Sequence, residues 1–187
     1  MLENADNENS LNKIGYCAKT GYPATNVRFS LLYNDTQSPF YAAGACQWTP
    51  SFFHGLRMRM SDTKYNIEQG FYAAMSMLDK KIEFNYIPMT RLKVGEKDMY
   101  FIGERGQPFN EVLYKGDFES GKWVAFFVFK DEIVGFVTCG YVNLHLYMWE
   151  AMKNLMMPTA AMLRAHDVNF EHIVDGVLKM RHDVKAK

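Results

Sequence analysis

Two runs decide how the chain is read: Phe40-Tyr41-Ala42-Ala43-Gly44-Ala45, and further along Glu68-Gln69-Gly70-Phe71-Tyr72-Ala73-Ala74-Met75-Ser76-Met77-Leu78. The first is a compact apolar segment between Pro39 and a small-residue turn, the pattern of a buried strand over Phe40 to Gly44. The second belongs to an amphipathic helix, with Tyr65, Gln69, Tyr72, Ala73 and Met77 at helical spacing. Ser61 or Asp62 precedes it, and either side chain can accept an orphan helix N–H as N-cap. Gly70 sits inside the helix, where glycine is about 1 kcal/mol less favourable than alanine. The expectation is that another backbone approaches closely there.

Outward from this core the pattern is short strands, then a sheet, then helices. Upstream, Gly21 and Pro23 punctuate a turn, Val27 to Leu31 alternates like a strand, and Asn34 to Pro39 is turn chemistry. Trp48 to Met60 reads as an irregular loop. Downstream, Lys81–Tyr86, Met99–Ile102 and Glu111–Lys115 alternate like strands. Trp123–Lys130 and Glu132–Cys139 are stronger, and the single step at Asp131 between them predicts a tight hairpin. Helices are expected over His145–Met157, ending before Pro158, over Thr159–Ala165, and over Phe170–Met180, with a charged tail from Arg181. The fold class is α+β: a short α/β piece to about residue 80, then an antiparallel sheet of about five strands with flanking helices.

Composition bounds the function. The 187 residues are 48% apolar and 22% charged, a globular balance. Lys plus Arg and Asp plus Glu are 21 each, so no net field steers the chain to nucleic acid, and none is expected as a partner. Thirteen methionines and 15% aromatics suit irregular packing surfaces, including surfaces for a partner. The three cysteines, Cys17, Cys46 and Cys139, form no C-x-x-C pair, so neither a zinc site nor a dithiol motif is expected. No apolar run reaches membrane-span length. Met1 to Asn9 is acidic and polar, unlike a secretory signal or an Arg-rich presequence.

In their order and spacing, these motifs resemble the ferredoxin-reductase and apoptosis-inducing-factor-like flavoproteins. The strand and helix are similar to the family's "xPxxxAAGD" strand and "QGxxAAxNML" helix. Ile87-Pro88 through Ile102-Gly103 looks like the lead-in to its C-terminal module. Lys115-Gly116-Asp117-Phe118 with Lys122 to Phe136 resembles the "GD…FVAFY…DxVV" hairpin of that module. The resemblance covers residues 15 to 160. It implies a remnant of the FAD-binding domain over 15–80 and a reductase C-terminal domain over 81–165; outside it, the polar, Asn-rich start reads as a flexible tail over 1–14 and the last amphipathic pattern as a helical extension over 166–187.

The resemblance also implies what is missing. A family member cradles the FAD pyrophosphate on a Gly-rich strand-to-helix turn, where helix N–H groups favour an anion. No G-x-G-x-x-G occurs in this chain. The acid that follows Gly44 in the family, which hydrogen-bonds the ribityl chain, is here Ala45. The helix start that faces the flavin pyrimidine, "HW" in related sequences, aligns on Asp62 and Thr63. A carboxylate there repels a reduced ring. A flavin-side aromatic aligns on Arg91. Gly44, Ala45, Asp62, Thr63 and Arg91 are therefore vestigial flavin-site positions. No catalytic residue, no metal and no cofactor is expected, with FAD only if a partner chain completes the site.

Other candidates have ordinary readings. His166 and His172, six apart, do not share a helix face, and a solvated helix end is the reading rather than a metal site. His145 is structural. Cys46 has no basic neighbour to activate it and is expected to be a buried, inert thiol. Asp117 and Glu119 are turn acids rather than an acid/base pair. Arg57-Met58-Arg59-Met60 is a solvated or partner-facing loop rather than a phosphate contact. The Met- and aromatic-rich stretch Leu144 to Met157 is a buried core helix, the alternatives being a protein interface or a helix against membrane-embedded partners.

The function this implies is a non-enzymatic, reductase-derived structural or accessory subunit of a hetero-oligomeric assembly. Its partners are other protein subunits, among them membrane-embedded ones. Because the resembled family has mitochondrial members, a mitochondrial respiratory-chain complex is the expected setting, with the chain peripheral to the inner membrane. The alternative is one half of a split NAD(P)H-dependent FAD oxidoreductase completed by another chain. A truncated form of an active reductase is disfavoured by the acidic start.

Overall fold

The computed structural model describes residues 21–33, 36–51, 57–103, 109–165 and 169–185. The N-terminal tail, Gly15, Cys17, His54, His166 and Asp167 lie outside these residues. The chain divides into two compact units, Met1–Tyr86 and Ile87–Lys187.

In the N-terminal unit, β1 (Ser30–Tyr33) and β2 (Thr36–Tyr41) form a two-stranded antiparallel hairpin. The strand expected from Val27 begins only at Ser30. Asn26 Oδ1 accepts from the amides of Arg28 (2.9 Å) and Ser30 (3.1 Å), and Phe29 turns with φ 64° to bury its ring completely. An Asx turn has captured what alternation alone reads as extended chain. Nor is Phe40 to Gly44 a buried strand. β2 starts at Thr36, inside the expected turn, and ends at Tyr41, while Phe40 is 69% exposed. A compact apolar run cannot distinguish a buried strand from a hairpin strand with one open side. The expected loop 48–60 contains the short antiparallel pair β3 (Thr49–Pro50) and β4 (Arg57–Met58).

Helix α1 spans Thr63–Met77 with Asp62 as N-cap. After Leu78 the chain turns left-handed at Asp79 (φ 54°), and the Lys80 amide returns to the Met75 carbonyl at 2.9 Å. Tyr65, Gln69, Ala73 and Ser76 are buried, whereas Met77 is exposed. Among the described residues Gly70 is not a close-approach site, since a Cβ there would meet nothing within 4 Å. Lys81–Tyr86 is not a strand. It carries Phe84 as a hub, with edge-to-face contacts to Phe29 (5.2 Å), Tyr65 (5.2 Å) and Tyr72 (5.3 Å). Met58 and Met60 complete this core, so the basic-apolar loop turns its methionines inward. Arg57 donates to the Thr25 and Trp48 carbonyls, and Arg59 lies 4.2 Å over the Tyr22 ring.

The C-terminal unit is a five-stranded antiparallel sheet of β5 (Met89–Val94), β6 (Lys97–Gly103), β7 (Glu111–Asp117), β8 (Lys122–Phe129) and β9 (Glu132–Cys139), in the order β5-β6-β9-β8-β7. The β8–β9 hairpin forms as expected, with Lys130 (φ 49°) and Asp131 (φ 69°) both left-handed, as a two-residue I′-type turn requires. Ile102, Phe136 and Phe126 are register neighbours across β6, β9 and β8, and all are fully buried. Where β6 meets β9, Gly103 pairs with Gly135, and a Cβ on Gly103 would stand 2.6 Å from the Gly135 Cα.

Three helices follow: α2 (Leu144–Lys153), α3 (Ala160–Ala165) and α4 (Phe170–Lys185). α2 buries Leu144, His145, Met148, Ala151 and Met152, the core helix expected. It ends four residues early because Leu155 turns left-handed (φ 56°) and the Met156 amide bonds the Ala151 carbonyl at 2.8 Å. α4 continues through the charged stretch expected to be a tail. No described helix is long and apolar enough to cross a membrane.

Candidate functional site

Of the positions that the resemblance assigns to a flavin, those in the N-terminal unit lie at two places, the Gly44 turn and the start of α1. Gly44 stands in a left-handed turn (φ 86°), and its amide donates to Gln69 Oε1 at 2.9 Å. Gln69 is fully buried, two turns along the helix from Asp62 or about 10 Å. Ala45 and Cys46 are exposed at the tip of the turn. Cys46 is thus not the buried thiol expected; its Sγ donates to the Ala43 carbonyl at 3.3 Å. The left-handed turn at Gly44 carries Ala45 and Cys46 outward, which leaves the thiol to solvent.

At the start of α1, Asp62 Oδ1 accepts the Tyr65 amide at 2.9 Å, and Thr63 is exposed. The end of the helix that attracts anions is therefore closed by a carboxylate of the chain itself. The same carboxylate acts on its surroundings. Burial holds the Tyr86 phenol above its ordinary pKa, and the charges of Asp62 and Glu68 push it further. Lys64 lies 5.8 Å over the Tyr86 ring.

Arg91 belongs to the C-terminal unit. It donates through Nε (2.9 Å) and Nη2 (2.8 Å) to the carboxylate of Asp98 on the neighbouring strand. That hydrogen bond lowers the Asp98 pKa and raises that of Arg91. Its guanidinium is spent on a cross-strand pair.

Set against what the resemblance implies for a flavin, the donor set does not fit. The Gly44 turn offers no side-chain acceptor, its glycine amide is already bonded to Gln69, and the helix start presents negative charge. Among the described residues, no group of three or more His, Cys, Asp or Glu is arranged to hold a metal ion.

A separate cavity of about 860 Å³ opens in the C-terminal unit. Lys115, Tyr141, Tyr147, Phe170, Glu171 and Asp175 are among its walls. Tyr141 packs edge to face on Phe170 at 5.4 Å. Its phenol is raised by burial and by Asp117. None of the flavin positions lines this cavity.

No family profile matches the chain. Over 73 residues it is 33% identical to mouse apoptosis-inducing factor 3, which is 39% of this chain and 12% of that protein. Among solved structures, a chain of the covalent putidaredoxin reductase–putidaredoxin complex superposes with a TM-score of 0.64 at 14% identity, over 84% of this chain and 36% of its own. A ferredoxin reductase from Rhodopseudomonas palustris gives 0.63 at 14% identity, over 85% and 37%. The chain has a reductase-like fold. It spans little more than a third of those solved chains and about an eighth of the curated relative. At such identity the shared feature is the fold: an α/β piece followed by a reductase C-terminal-like antiparallel sheet.

Two contacts escaped the sequence. Gln69 was visible only as one inward helical position, yet it holds the Gly44 turn; a polar residue at the centre of an apolar face was the available signal. His145 stacks flat on Tyr100, with centroids 3.6 Å apart and planes 1° apart. Its Nδ1 is buried without a hydrogen-bond partner among the described residues, and burial lowers its pKa. The turn acid was legible: Asp117 accepts the amides of Glu119 (2.9 Å) and Ser120 (3.2 Å), and the Ser120 side chain first, then these two amides, lower its pKa.

Proposed function

We propose that this chain is a catalytically inactive, reductase-derived accessory subunit of a larger protein assembly, without FAD of its own. The observation that carries this reading is Asp62 closing the start of α1, where the resemblance implies the flavin pyrimidine. Ala45, the occupied Gly44 amide and the absence of G-x-G-x-x-G from the sequence support it. The solved relatives are oxidoreductases, but this chain spans only part of them, so their chemistry does not transfer whole. We place the assembly at the mitochondrial inner membrane, peripherally, on the resembled family's mitochondrial members alone.

The test is isolation of the chain from its native source under mild conditions, with flavin absorbance and subunit composition recorded together. A multi-subunit assembly with no flavin bound to this chain is expected. One partner bearing a dinucleotide fingerprint, with stoichiometric FAD in the pair, overturns the reading in favour of a split enzyme.

A further inference from the structure

Helix α1 is apolar on two sides. Inward it buries Tyr65 and Ala73 with Gln69 and Ser76. Its outward side carries Ile67, Phe71, Ala74 and Leu78 at i, i+4, i+7 and i+11, one continuous stripe. Ile67, Phe71 and Leu78 are 66%, 52% and 68% exposed. Gly70 borders the stripe with open space where a Cβ would be. With Ala74 one turn on, it makes a notch that lets a second helix come close, since interaxial distance depends on side-chain size at the contact. Just beyond the stripe, Lys80 and Lys81 are exposed, and neither has an ion-pair partner among the described residues.

We propose that the outward face of α1 seats an apolar helix of a separate protein subunit, one whose end carries carboxylates that meet Lys80 and Lys81. This rests on the accessory-subunit reading and names the surface it uses. Charge complementarity selects the partner's acidic end. The Gly70–Ala74 notch selects a helix, because ridges interdigitate with such a groove and a lipid surface does not. Balanced charge over the chain, 21 against 21, does not favour an anionic bilayer. A second copy packed in parallel would set the lysines against each other.

The experiment places a photo-crosslinking benzoylphenylalanine at Phe71 of the full chain in cells that make the assembly, with a second set at Leu92 as control. The expected adduct at Phe71 maps to one subunit, on a segment with apolar residues three and four apart and Asp or Glu at its end. In parallel, Gly70→Gln fills the notch while favouring the helix. It leaves the thermal midpoint of the isolated chain unchanged or higher, and lowers incorporation into the assembly roughly tenfold or more. Unchanged incorporation of Gly70→Gln with no adduct at Phe71 overturns the surface and leaves the accessory reading standing. A chain found in no assembly sinks both. An adduct to a second copy, or binding to phosphatidylserine vesicles that Phe71→Asp abolishes, also overturns the proposal.

Discussion

Asp62 both stabilises α1 and sets the charge at its start. As N-cap it satisfies the Tyr65 amide, so Asp62→Ala is expected to lower unfolding free energy by about 1 kcal/mol in a denaturant titration. Asp62→Asn keeps the acceptor and removes the charge, so its cost is smaller. In that variant the Tyr86 phenol should titrate at lower pH than in the parent, yet remain above an ordinary tyrosine, because burial is the larger cause and Asp62 the second. Phenolate absorbance followed against pH measures this; an unmoved titration would mean that Asp62 does not face Tyr86. His145 gives a second pH effect. Burial lowers its folded pKa, so in the acid range the unfolded chain binds a proton that the folded chain resists. Stability is full above the ordinary histidine pKa and declines as pH falls below it. His145→Phe keeps a ring on Tyr100 and removes the titration. The drop in thermal midpoint between neutral and mildly acidic buffer should shrink in this variant.

Single contacts also decide where elements dock. Arg164 on α3 donates to both oxygens of Glu111 on β7 and to Asp131 in the β8–β9 turn (2.7 Å). It holds the Glu111 carboxyl below its ordinary pKa. That contribution is present at neutral pH and lost as acid protonates the glutamate. Arg164→Ala should therefore speed amide exchange in α3 at neutral pH and bring little change where Glu111 is protonated. In the hairpin itself, Lys130 is left-handed at a cost of about 1 kcal/mol. Lys130→Asn relieves part of that and gives up a contact over Phe129 worth about 0.5 kcal/mol, so a small gain in thermal midpoint is expected.

The same elements mark what the sequence could carry. β8 and β9 were legible because alternation, aromatic content and a one-step turn all pointed to the same hairpin, and Asp62 was legible as a cap because capping is local chemistry. Phe40 was misread because whether a strand is buried depends on which strands pair beside it. β1 was misplaced because Asn26 captures the backbone ahead of Phe29. Of the positions that the resemblance assigns to a flavin, Ala45 and Asp62 could be read as departures from the family's pattern, but the bond between Gln69 and Gly44 joins residues 25 apart, and no local pattern encodes it.

The two units differ in how they could stand alone. The C-terminal unit has an apolar core of Phe126, Phe136, Ile102, Met148, Met152 and Leu163, all buried to within 1%, beneath helices tied back by the Trp149 Nε1 bond to the Ile87 carbonyl at 2.8 Å. The N-terminal unit buries Thr25, Ser30, Gln47, Thr49, Ser51, Gln69 and Ser76 beside its aromatic cluster. Gln47 Nε2 and Ser76 Oγ have no hydrogen-bond partner among the described residues. Unsatisfied buried polar groups cost about 1–3 kcal/mol each, a large share of the stability of a domain of this size. A fragment of residues 87–187 is therefore expected to fold cooperatively, with a sharp denaturant transition and native near-ultraviolet dichroism. A fragment of residues 1–86 is expected to show a broad, shallow transition that sharpens only when its partner is supplied. A sharp transition from 1–86 alone would show that its polar interior is self-sufficient and would remove the energetic reason for a partner at this end of the chain. A broad transition from 87–187 would show that the sheet, despite its apolar core, needs the rest of the chain to fold.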